Sequence, residues 1–343
     1  AVFPGALPHP VFIMTSLGPI FADDLARVKP GDRLRLTISA QTSDAAALAQ
    51  AALEARARGE RVLVVCADPA DVPRLAQEMP WFEPKLDVRP LPDWETLPYD
   101  VLSPQEELVS ERLEALYRLT APTGGADVLL TSAVTASQRL SPVSYIGANT
   151  FFFHQGEQIS LTTLQKRLAA AGYANVKQVL AAGEFAVRGS IVDVFPMGSE
   201  RPFRLDFFDD EIESIRWFDV DTQRSMESAE EIRLLPGHEF PVDPEALLAF
   251  RQRWRREFAG DPKKSIVYCD IEKEILPPGI EYYLPLFFDE TAALTDYLPP
   301  NARVFLLGDI EAALQAFGRD MASRYKVLAA DPQRPALAPE RIW

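Results

Sequence analysis

The chain has 343 residues, 47% of them hydrophobic, enough to bury a sizeable core and to form two or three domains. Its formal net charge of −15 opposes phosphate backbones and disfavours tight nucleic-acid binding, while the absence of a long uninterrupted apolar run argues against a membrane span. Cys66 and Cys269 lie far apart, which argues against a disulfide framework and for a reducing cytoplasm, and with His9, His154 and His238 they make no metal-ligand spacing, so no metal is expected.

In chain order, the apolar stretch Ala1 to Phe21 is broken by Pro4, Pro8, Pro10 and Pro19 with no basic region ahead of it, unlike a signal peptide. Met14 could be the natural start. The run Ser43 to Arg58 is alanine-rich and reads as a helix, capped by Thr42 or Ser43 and closed by Gly59. A buried strand, Arg61 to Cys66, follows, then a helix near Ala70 to Met79 and a strand near Leu86 to Leu91. A longer helix from about Pro104 to Leu119 leads to the short apolar strand Asp127 to Thr131. Such alternation implies a parallel sheet covered on both faces.

After Ala148 the texture becomes α+β. Thr150 to His154 reads as a strand and Ser160 to Gly172 as a helix, followed by a β-rich stretch from Gly183 to Asp219. Within it Phe203, Leu205 and Phe207 alternate with Arg204, Asp206 and Phe208, so one face is apolar and the other mixed. The acidic residues Asp209, Asp210 and Glu211 make the tight turn of a hairpin with Ile212 to Phe218. Upstream, Arg188 and Gly189 suggest a glycine bulge that aims Arg188 outward. Arginines and an aromatic on adjacent strands fit the anatomy of an interface, yet a lone outward Phe is ordinary surface, so the pattern permits a docking face without proving one. Between Arg188 and Arg233 there are twelve acidic side chains, six arginines and no lysine, which suits fixed carboxylate pairing, whether within the domain or to a partner, better than diffuse attraction to DNA.

A third texture begins after Leu235-Pro236-Gly237. Asp243 caps a helix with Pro244 at its first position, and Asn301 to Leu307 reads as a buried strand followed by a helix from Asp309 to about Tyr325. The last third could therefore complete the first third's sheet, with the middle as an insertion.

A nucleotide site at the first strand-to-helix turn would need glycines, a lysine and a hydroxyl to cradle phosphate. The turn here contains Ser39, Ala40, Gln41, Thr42 and Ser43, with neither glycine nor lysine. Downstream, Gly308-Asp309-Ile310-Glu311 lacks the adjacent acidic pair expected to hold a metal. Hydrolysis is accordingly not expected, and no Ser-His-Asp or Cys-His constellation stands in for it.

Several long motifs carry a family resemblance: Asp93-Trp94-Glu95-Thr96-Leu97-Pro98-Tyr99-Asp100 with Ser103-Pro104, Arg188-Gly189 through Glu200, Arg204 through Ile212, Phe218-Asp219-Val220-Asp221, and Gly279-Ile280-Glu281-Tyr282. They closely resemble the N-terminal, UvrB-homology module of the bacterial transcription-repair coupling factor family. That module is similar to UvrB, whose first motor lobe is split around an inserted domain that binds UvrA. The resemblance implies a split RecA-like, P-loop-type α/β lobe with a degenerate nucleotide site, interrupted by an inserted α+β domain. The implied boundaries are 1–148, 149–236 and 237–343. It further implies UvrA as partner, with Arg188, Arg204 and Phe208 as contacts and Asp206 as a neighbour.

It implies no catalytic residues or cofactor for this chain, a cytoplasmic location and a monomer. ATP, Mg²⁺, RNA polymerase and duplex DNA belong to parts of the full-length family absent before Trp343, where the rest of the protein is expected to mask the docking face. UvrB itself bears a glycine- and lysine-containing phosphate loop and an aromatic damage-probing hairpin. Here Tyr99 passes to the Pro104 helix within a few residues, leaving no room for that wedge. Two rival readings remain, a residual nucleotide-hydrolysing lobe and a DNA-binding module.

Overall fold

The computed structural model describes residues 43–121 and 125–343. Helix α1 (Ser43–Ala57) leads to strand β1 (Val62–Cys66), then α2 (Asp71–Phe82), β2 (Val88–Pro90), α3 (Glu106–Thr120) and β3 (Val128–Ser132). Two short helices, α4 (Ala133–Ser137) and α5 (Val143–Ala148), precede β4 (Phe151–His154), α6 (Leu161–Ala170) and β5 (Ala174–Asn175). The β-rich stretch comprises β6 (Glu184–Arg188), β7 (Ile191–Val194), β8 (Phe203–Phe208), β9 (Glu211–Phe218), β10 (Ser225–Ala229) and β11 (Glu231–Leu234). The chain closes with α7 (Pro244–Glu257), α8 (Ile266–Glu272), β12 (Arg303–Leu307), α9 (Ile310–Leu328) and α10 (Pro339–Ile342), the long interval before β12 holding 3₁₀ turns.

A parallel sheet of order β12-β1-β3-β2 takes three strands from the first third of the chain and one from the last, so the lobe is split as its texture suggests. Alternation along β1 sorts its side chains between two layers. Val62, Val64 and Cys66 pack with the alanines of α1 and with Val72, Leu75 and Met79 of α2. Leu63 and Val65 face the opposite layer, which includes Leu113 and Leu116 of α3. Small alanine side chains let α1 lie close to the sheet, and Gly59, at φ 71, ends it in the left-handed conformation that glycine adopts without steric cost.

Between the two parts of the lobe lies a six-stranded sheet of order β10-β9-β8-β7-β6-β5. Its inner face, with Phe185, Val192, Val194, Phe203, Leu205, Phe207 and Ile215, joins the same apolar cluster as α3. The strands that enter and leave this region, β4 and β11, pair antiparallel with Phe151 opposite Leu234. A separate aromatic core, including Trp94, Phe240, Phe250, Trp254, Tyr268 and Phe287, holds the last third together.

Three expectations are corrected. Gly189, at φ 63, sits in a two-residue turn joining Arg188 to its register partner Ile191, so a hairpin turn replaces the bulge. Strand β12 is not buried, since Val304 and Leu306 are exposed, and among the described residues it lies at the sheet edge. The strand expected over Leu86 to Leu91 contracts to Val88–Pro90, ending at a residue with no N–H to donate. The Asp309 carboxylate accepts the Ala312 N–H at 3.0 Å as the cap of α9. Ser39, Ala40, Gln41 and Thr42 lie outside the described residues, as does the side chain of Ser43, whose backbone opens α1.

Candidate docking face

The outer face of the six-stranded sheet is built by register. Ala186, Asp193, Arg204 and Arg216 stand directly opposite one another across β6, β7, β8 and β9. In the next row stand Arg188, Ile191, Asp206 and Ser214. Phe208 follows at the end of β8, beyond a register shift between Asp206 and Phe207, and Asp209 at φ 53 turns the chain into β9. The alternation read from residues 203–208 therefore holds, with Phe203, Leu205 and Phe207 buried and Phe208 69% exposed.

Arg204 is more enclosed than an outward strand position suggests. Its Nε donates to Asp193 Oδ1 at 2.7 Å and its Nη2 to Oδ2 at 3.0 Å. Nη1 donates to the Gln223 carbonyl at 3.1 Å and to Ser225 Oγ at 3.3 Å. The guanidinium lies over the Phe218 ring, 4.9 Å from its centroid, leaving the side chain 13% exposed. Phe218, Ala186 and Val179 make a small apolar cluster that supports it, covering part of the outer face with the segment ahead of β6. The paired Asp193 carboxylate raises the Arg204 pKa further above its already basic range.

Arg188 also donates to Asp193 Oδ2 but stays half-exposed. Asp206, in the next row, accepts the Ser214 hydroxyl at 2.8 Å, and the carboxylate that bridges the two arginines is Asp193. Two residues are thus added to those named from sequence. Asp193 is 1% exposed, and its signal was a carboxylate within the apolar strand Ile191–Val194. Arg216 is exposed beside Arg204, a placement that only strand pairing reveals. The face can offer fixed guanidinium donors and one apolar ring to a protein surface. No three His, Cys, Asp or Glu side chains gather to hold a metal among the described residues.

Comparison with known proteins places this sheet inside a recognised unit. The family described as UvrB interaction domain matches residues 151–240, which contain β4 through β11. The chain is 42% identical over 283 residues to the transcription-repair-coupling factor of Escherichia coli K12, covering 82% of this chain and 24% of that protein. It is 45% identical over 260 residues to that of Haemophilus influenzae, covering 75% of this chain and 22% of the relative. The chain belongs to the transcription-repair-coupling factor family.

The Bacillus subtilis member is more distant, at 32% identity over 216 residues. This family member spans about a quarter of the length of the curated relatives it matches. The lobe and inserted sheet of this chain reproduce the α/β architecture that its motifs imply. Among the described residues, no helix is long and apolar enough to cross a membrane.

Proposed function

We propose that this chain is a non-catalytic recruitment module that presents residues 149–236 to UvrA, bringing excision repair to a stalled RNA polymerase. One observation carries the reading. Arg188 and Phe208 remain open on the same sheet face on which Arg204 is held in a fixed orientation. The match of residues 151–240 to the UvrB interaction domain supports assigning that face to a repair-protein partner. Asp206, tied to Ser214, borders the contact. The chain uses neither metal nor nucleotide in this role, acts as a monomer in the bacterial cytoplasm, and leaves ATP-driven translocation and polymerase contact to other parts of the full-length protein.

Calorimetric titration of UvrA with the chain tests the proposal. Phe208→Ala and Arg188→Ala should each cost about 2 kcal/mol of binding, as truncated aromatic and arginine anchors do. Thermal unfolding should change little for Phe208→Ala, whose ring is exposed, and modestly for Arg188→Ala, because Asp193 keeps its two bonds to Arg204. Unchanged binding by the double variant would place the contact elsewhere.

A further inference from the structure

A carboxylate in the middle of a strand and almost wholly out of water is costly unless its oxygens are hydrogen-bonded. Asp193 meets that condition with arginines alone, accepting Nε and Nη2 of Arg204 and Nη2 of Arg188. The remaining register neighbours offer it no partner. Ala186 lies on one side, and beyond Arg204 stands a second exposed guanidinium, Arg216. Without the Asp193 charge, Arg204 and Arg216 would be like charges directly across a strand pair, an arrangement that pushes side chains apart. The clamp also joins segments distant in sequence, since Arg204 donates in addition to Gln223 and Ser225. Arg188 reaches back to Asp193 across the Gly189–Ser190 turn.

We propose that Asp193 is the positioning residue of the docking face: it holds Arg188 and Arg204 in their binding geometry before the partner arrives without itself touching the partner. The inference rests on the UvrA reading above. Long arginine side chains lose rotamer freedom when an interface forms, so a face on which one is locked and the other tethered forfeits less on binding. Asp193→Asn keeps the shape and removes the charge.

Titration against UvrA should show Asp193→Asn binding about tenfold more weakly, the effect of releasing two pre-ordered side chains. On an Arg204→Ala background the same change should weaken binding by less than on the wild type, because part of what Asp193 organises is already gone. A purely structural contribution would weaken both backgrounds equally, and that result overturns the proposal. So does wild-type affinity in Asp193→Asn when Arg188→Ala has lost affinity, an outcome that leaves the UvrA reading standing. Absence of UvrA binding by the unmodified chain removes both. Should Asp193→Asn fail to fold, hydrogen exchange at the Arg204 side-chain Nε–H of the unmodified protein decides. Exchange much slower than at Arg216 Nε–H is expected, and equal rates overturn the clamp.

Discussion

At the scale of single residues, two partly buried titratable groups give opposite pH signatures. His238 stacks on Phe240 at 5.5 Å and lies against Gly172, where an added Cβ would come within 2.8 Å of its ring. Burial lowers its pKa from 6.5 to about 4. The unfolded chain therefore takes up a proton first, and the stability associated with neutral His238 is complete above about pH 6.5 and is lost as pH falls toward about 4. The loss approaches about 1.4 kcal/mol per pH unit in that window. His238→Gln should flatten this part of the unfolding profile.

Glu281, joined to the Ser103 hydroxyl at 2.8 Å, is pushed by burial from 4.5 up to about 7. Its sign is reversed: stability is full below about 4.5 and declines as pH rises toward about 7, because the unfolded carboxyl ionises first. Glu281→Gln should consequently raise the melting temperature at pH 8 and leave it unchanged at pH 4. The docking residues show how far single positions could be read from sequence. Period two placed Phe208 outward because strand alternation is local. Asp193 escaped attention because its partners are fixed by register across residues 188–204, which no local pattern encodes.

At the scale of elements, α3 is anchored to the aromatic core by one enclosed ion pair. Arg112 donates Nε to Glu239 Oε1 at 2.5 Å and Nη2 to Oε2 at 3.2 Å, and the two side chains are 0% and 3% exposed. Trp94 Nε1 donates to the same carboxylate at 3.2 Å, and Arg112 also donates to the Pro92 carbonyl at 2.7 Å. Glu239→Ala would strand a guanidinium without its counter-charge and should cost about 3–5 kcal/mol in denaturant unfolding. Replacing both members, as Glu239→Leu with Arg112→Met, should recover only part of that loss, since no charge is left stranded but Trp94 Nε1 and the Pro92 carbonyl lose these partners.

The elements themselves were largely legible. The β1 and β3 strands are uniformly buried and each follows a charged residue, Arg61 or Asp127, and α1 and α7 carry strong helix formers or caps. What escaped has physical causes. A glycine after Arg188 fits a bulge or a turn equally until the partner strand is known. The apolar run in β12 suits a buried strand equally well, and its place at the sheet edge among the described residues, with Val304 and Leu306 exposed, is not written in that run.

At the scale of the whole molecule, acidity governs which partners the chain can meet. With a net charge of −15 and no lysine between Arg188 and Arg233, the arginines of the docking face lie within a repulsive field for phosphate. A gel-shift titration should accordingly show no retardation of duplex DNA by this chain even at low salt, where counterion release favours binding most strongly. Retardation that weakens steeply as salt is added would instead favour the DNA-binding reading. The split lobe was legible at this scale because β-rich texture interrupts two stretches of strand-helix alternation. The continuity of one apolar cluster from α3 into the inserted sheet was not, because it depends on how the layers meet.

The last strand of that sheet has its own consequence. β10 has β9 on one side and no strand on the other among the described residues, its register slips between Ser225 and Ser228, and Glu227 lies within the slip. An open border so kinked and negatively charged is a poor template for another chain's backbone. Edge-to-edge fibre growth through β10 should therefore be resisted, and the arginine-bearing strands can stay uncovered in the middle of the sheet without this margin seeding aggregates.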